Sequence, residues 1–238
     1  MGPIGYLYNG DFQGFFLTIL FLLPALVIAL SFHEAAHAYA AYKMGDPTAR
    51  NLGRMTLIPT KHFDLFGMLA FLFIGFGWGK PVPTNPRNYH NYKRGTVYVA
   101  LAGITTNLIL SLFFFILIGI LTLAGAFESV IPLYMLGVRQ LTFVDIIHTI
   151  LYFIAYLNLI LCIFNLIPIP PLDGHHLVKG FIARKSPRFY MVYMKYGFFV
   201  LIILLFATSW FGTGMFYIIN YVAQGVALLF GVPLYPIL

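Results

Sequence analysis

The sequence predicts an all-α polytopic membrane protein of about five transmembrane helices with one short re-entrant or β segment near its functional site. Three observations predict it. Of 238 residues, 61% are hydrophobic and only 9% are charged, against about 25% charged in soluble domains. The mean hydropathy is +0.88. The apolar residues also gather into runs long enough to cross a bilayer, and the loops between them hold nearly all the charge. The expected organisation is a single membrane-embedded domain over residues 1–238, with no room for a sizeable soluble module. A net charge of +7 sets topology in such a protein, so no nucleic-acid partner is expected. The lone Cys162 cannot form an intrachain disulfide. The N-terminus lacks the basic region of a cleavable signal, so none is expected.

The first helix is expected from about Phe12 to Met44. At 1.5 Å per residue it is roughly 48 Å long, against a hydrocarbon core of about 30 Å, so it must tilt or project. Gly45-Asp46-Pro47 ends it. Residues 48–60 read as an extended segment or hairpin with Gly53 at the bend. Residues 66–79 are apolar but only fourteen long, and Gly67, Gly75, Gly77 and Gly79 interrupt them. That is too short to span as a helix, so the segment reads as re-entrant or as an edge strand. Residues 80–94 carry three prolines and four basic side chains and form an aqueous-side loop. A second span follows at about 95–124 and a third at about 142–166. The third runs into Asn165-Leu166-Ile167-Pro168-Ile169-Pro170-Pro171-Leu172-Asp173-Gly174. A basic stretch over 179–195 precedes a fourth span near 196–210. Gly212 and Gly214 are expected to turn the chain into a fifth, about 215–230.

Charge orients these elements. Of fourteen lysines and arginines, thirteen fall in 43–61, 80–94 and 179–195, and only Arg139 lies elsewhere. An odd number of spans separates the 126–141 loop from its basic neighbours, so the three basic loops share one face. The positive-inside rule makes that face cytoplasmic. Segment 66–79, flanked by two of them, then enters and leaves on the same side.

The end of the first helix carries His33-Glu34-Ala35-Ala36-His37. Residues four apart on a helix stand nearly one above the other, so two imidazoles can share one metal. Glu34 can reach a metal-bound water without being a ligand. Ionisable groups at membrane depth are costly and mark function. Two histidines need at least one more protein ligand. Asp173, His62, His90, His148, His175, His176 and the remaining acidic residues are the candidates. Asp173 stands out because it follows a proline-unwound span end, where irregular backbone lines protein or a water-filled cavity. The plain alternative is an Asp-Gly turn with Asp173 capping the next helix.

These motifs together resemble the site-2 protease family of intramembrane zinc metalloproteases, in the minimal form without a PDZ domain. His33-Glu34-Ala35-Ala36-His37 matches its first motif and Asn165 through Gly174 its second. Gly45-Asp46-Pro47-Thr48, Lys61-His62-Phe63-Asp64 and Gly79 through Pro86 match as well, so the likeness covers about residues 29–180. Ile104 departs from the family's proline, and His175-His176 from its small residue after Asp-Gly. The resemblance implies that His33, His37 and Asp173 bind Zn²⁺ and that Glu34 is the general base. It also implies that Asn107 and Asn165 hold substrate or the developing oxyanion, though each equally suits an interhelical hydrogen bond. The implied protein is a multi-pass enzyme of the cell membrane, cleaving transmembrane protein substrates near the cytoplasmic side. Two other classes fit the residues less well: a metal-binding membrane protein without proteolysis, and a zinc hydrolase acting on small or lipid substrates.

Overall fold

The structure, a computed structural model, describes residues 3–74, 77–132, 141–206 and 209–230. Nine α-helices are described in it: α1 Ile4–Tyr8, α2 Phe12–Lys43, α3 Thr48–Asn51, α4 Leu65–Ile74, α5 Tyr92–Leu123, α6 Phe143–Leu166, α7 His175–Lys185, α8 Pro187–Phe206 and α9 Ser209–Phe230. The long helices start where side chains can satisfy free N–H groups. Asp11 accepts from Gly14 N–H at 2.8 Å ahead of α2, Asn91 accepts from Arg94 N–H at 3.0 Å ahead of α5, and Thr142 forms a capping box with Asp145 at α6. After α2 the chain turns at Gly45, whose φ of +106° suits glycine.

The centre of the molecule is the packing of α2, α5 and α6. Ala25, Ala29, Ala38 and Ala41 of α2 are fully buried, and their small side chains let neighbouring backbones approach closely. At the far end of α5, Phe115 and Ile118 pack with Tyr152 and Ala155 of α6 and Ala223 of α9. Large apolar side chains such as Ile109, Phe113 and Leu123 point outward, as expected of a lipid-facing surface.

Four described helices are long and apolar enough to cross a membrane: α2, α5, α6 and the Pro187–Leu204 part of α8. The chain is thus an all-α, multi-pass membrane protein. The expected fifth span falls in α9, which is 22 residues long. Gly212 and Gly214 lie inside that helix and make no turn. The fourth helix starts at Pro187 rather than 196, because the basic residues there ride on helical turns. Residues 48–60 are also not a hairpin. They form the short α3, a turn at Gly53 with φ +64°, and a 3-10 turn at Pro59–Lys61.

Segment 66–79 is helical at its start, as α4. Gly75 and Arg139 lie outside the described residues. The return from α4 ends in an antiparallel bridge between Phe63 and Gly79, with Lys80 N–H donating to the His62 carbonyl at 2.8 Å. Glycine is required inside this excursion. A Cβ at Gly67 would lie 2.0 Å from the Trp78 carbonyl oxygen, and one at Gly77 would lie 2.3 Å from the Gly67 oxygen.

Candidate metal centre

Among the described residues, His33, His37 and Asp173 bring three ligand atoms within 4.8 Å of one another. The two imidazoles come from successive turns of α2. The carboxylate comes from the proline-rich turn after α6, which is fixed through its backbone. Gly174 N–H donates to the Asn165 carbonyl at 2.7 Å, and Tyr193 Oη donates to the Pro168 carbonyl at 2.6 Å. His33 Nε2 and His37 Nε2 are 2.9 Å apart, and each lies 3.1 Å from Asp173 Oδ2. Edges of a coordination tetrahedron built on bonds of about 2.0–2.1 Å are roughly 3.3 Å, so the spacing suits a tetrahedral ion.

The proton positions favour the same reading. His37 Nδ1 faces the Val99 carbonyl at 2.7 Å, and a carbonyl can only accept. His33 Nδ1 bonds to Asn107 Oδ1, which also only accepts. Each ring therefore carries its proton on Nδ1 and directs a bare Nε2 lone pair inward. Asp173 Oδ2 is buried there with no hydrogen-bond partner, despite both nitrogens at contact distance. Three electron-pair donors converge on one point. A shared proton could bridge one pair at a time, whereas a dication meets all three. The residues fit a metal.

The centre opens on a cavity of about 820 Å³. Its lining includes apolar Leu30, Leu161, Phe164, Phe198 and Leu201 and polar Glu34, Thr84, Thr96, Asn165 and His176. Glu34 Oε2 accepts from Val82 N–H at 2.7 Å, which holds the carboxylate in this lining. The segment bearing Val82 is itself clamped. Arg54 donates to the carbonyls of Lys80 and Pro81 at 2.8 and 3.3 Å. Asp46, fully buried, accepts from Asn85 N–H at 2.6 Å and Asn88 Nδ2 at 2.8 Å. Burial alone would raise the Asp46 carboxyl, but these donors and Thr48 outweigh it and hold it below its ordinary value.

The other candidates fall elsewhere. Asn165 lines the cavity and donates to the Leu161 carbonyl at 3.0 Å. Asn107 is fully buried behind His33, with its Nδ2 directed at Asn158 and Ala29. His62 is buried, with Nε2 2.7 Å from the Thr56 carbonyl. His175 Nδ1 faces the Leu172 carbonyl at 2.7 Å, and His148 stacks on Phe127. His90 is exposed. His176 lines the cavity, and burial, then His175 and Lys179, push it down to about 4.

Sequence reasoning missed three contributors: Asn158, the Val82 N–H and Gly103. Asn158 had a signal, being an amide in an otherwise apolar span two helical turns before Asn165. Gly103 had none. A Cβ there would sit 2.5 Å from His37 Nε2 and 2.6 Å from His33 Cε1. Gly103→Ala is therefore expected to displace both rings and weaken metal binding about tenfold or more, measured by metal titration of the purified variant.

Comparison with known proteins gives a consistent picture. The model of peptidase family M50 matches residues 21–204. A Bacillus subtilis protein named as a candidate zinc metalloprotease, YwhC, is 36% identical over 184 residues, covering 77% of this chain and 79% of the relative. Rip2 of Mycobacterium tuberculosis H37Rv, also named as a candidate zinc metalloprotease, is 27% identical over 206 residues, covering 82% and 71%. Its Mycolicibacterium smegmatis counterpart is 25% identical over 202 residues, with the same coverage. No solved structure matches.

Proposed function

The chain belongs to peptidase family M50, the site-2 protease family, and from that membership as a zinc metalloprotease we propose that it cleaves transmembrane proteins near the cytoplasmic face. His33, His37 and Asp173 hold Zn²⁺, and Glu34 is the general base. The observation that carries this reading is the convergence of three bare ligand atoms beside a tethered glutamate in one cavity. Zinc held there would supply an acidified water and polarisation of the scissile carbonyl. Glu34 takes the water's proton and returns it to the leaving amine. The apolar lining residues accommodate side chains of a membrane segment, and Asn165, on the same cavity, holds the substrate backbone. Asn107 serves through His33 instead, since its amide is committed to protein groups. Residues 1–238 act as one domain around this site. A small-molecule or lipid hydrolase would use the same centre. Incubating the purified protein with single-span protein substrates, with and without a zinc chelator, decides between them: chelator-sensitive cleavage supports the protease, and uncleaved substrates at full zinc occupancy would sink it.

The orientation rests on the thirteen basic residues gathered in 43–61, 80–94 and 179–195, which the positive-inside rule assigns to the cytoplasm of the cell. Segment 66–79 then re-enters from that face, and its non-helical part at 77–79 offers backbone to an extended substrate. The bridge joining Phe63 to Gly79 supports this, because it holds both ends of the excursion together. Cysteines at positions 60 and 84, with Cys162 replaced, are expected to label from the cytoplasmic side alone. Labelling from opposite sides would refute re-entry. Gly77→Pro, which removes a backbone N–H and also sets a Cβ against the Gly67 oxygen, is expected to cut cleavage while sparing zinc. Undiminished cleavage would remove the substrate-holding role.

A further inference from the structure

Asn158 is fully buried on α6 and does not line the cavity. Its partners nevertheless lead to the metal centre. Asn158 Nδ2 donates to the Ile154 carbonyl at 2.8 Å. That carbonyl can only accept, so the amide must present its NH₂ there and its oxygen on the other side. Asn158 Oδ1 then accepts from Asn107 Nδ2 at 2.7 Å. The same Nδ2 meets the Ala29 carbonyl at 3.3 Å. Two acceptors on that side oblige Asn107 to turn its oxygen toward His33 Nδ1.

We propose that Asn158 is a positioning residue that, acting through Asn107, fixes the tautomer of His33. The inference rests on the reading of His33 as a zinc ligand. If the Asn107 amide were flipped, its NH₂ would face His33 Nδ1 and move the imidazole proton to Nε2. That proton would point between His37 Nε2 and Asp173 Oδ2, where the metal belongs. The flipped amide would also set its oxygen against the oxygens of Asn158 and Ala29. The relay begins at a backbone carbonyl, which cannot flip, and passes from α6 through α5 to α2. Asn158 Nδ2 and His33 Nδ1 each meet one acceptor and Asn107 Nδ2 meets two, so the proton order of the relay is unique.

The test is zinc affinity in the purified full-length protein, measured by competition with a chromophoric chelator. Asn158→Leu keeps the number and branching of the side-chain heavy atoms and removes both hydrogen bonds, and is expected to weaken zinc binding about ten- to a hundredfold. Adding Asn107→Asp should recover at least about threefold of that loss, the rest being held back by its second oxygen, which meets the Ala29 carbonyl. A carboxylate has only acceptors, so it holds the His33 proton on Nδ1 without help. A residue needed merely for packing would not be bypassed this way, and no rescue by the double variant would overturn the relay. Ser111→Ala, at a buried hydroxyl outside the relay, should leave affinity unchanged; an equal loss there would reduce the Asn158 effect to packing. His33→Ala separates the two layers. If it keeps wild-type affinity, the ligand assignment falls. If it loses zinc while Asn158→Leu does not, only the relay falls.

Discussion

Glu34→Gln is expected to lower turnover by roughly 10²–10⁴-fold while leaving zinc content and fold unchanged. The reason lies in what the substitution keeps. Glu34 Oε2 accepts from Val82 N–H at 2.7 Å, and a glutamine oxygen accepts the same bond, so the side chain keeps its place. An amide cannot take a proton from water. Position is preserved and basicity is lost. Cleavage of a single-span substrate, with metal content measured on the same preparation, checks this. Wild-type cleavage at wild-type zinc would mean that the base is another group.

Asp173→Asn is expected to weaken zinc binding by about a hundredfold or more, with loss of cleavage, because a neutral amide is a poor ligand for a dication. The turn carrying it should survive. Its shape depends on backbone bonds such as Gly174 N–H to the Asn165 carbonyl at 2.7 Å and on the Tyr193 bond to Pro168. None of these involves the carboxylate. Zinc titration of the folded variant is the measurement. Full occupancy with normal turnover would move the third ligand elsewhere, and His176, on the same cavity, would be examined next.

The parts legible in the sequence were those governed by local rules. Helix periodicity stacks His33 and His37, and hydropathy finds α2, α5 and α6 to within a few residues. The proline-rich turn at Asp173 declares itself by breaking an apolar run. What was not legible depended on distant approach. Gly103 reads as an ordinary helix glycine until the imidazoles are seen against it. The fate of the Asn107 amide depends on Asn158, fifty-one residues away, so no local pattern separates contact with substrate from support of a ligand. Residues 65–74 form a helix despite Gly67, since Leu65, Met68, Leu69 and Ala70 are strong helix formers that outweigh one glycine.

The bond between Val82 and Glu34 has one more property, which comes from its neighbours. Pro81 and Pro83 flank Val82, and neither has a backbone N–H. A strand alongside a carboxylate can ordinarily slip by one residue and offer the next amide. Here a slip in either direction presents a pyrrolidine ring and no donor. A slip of two residues carries the chain about 6.6 Å along its axis, beyond hydrogen-bond reach and against the Arg54 clamp on the carbonyls of Lys80 and Pro81. The carboxylate is thus indexed to a single amide, and the indexing resides in what residues 81 and 83 lack.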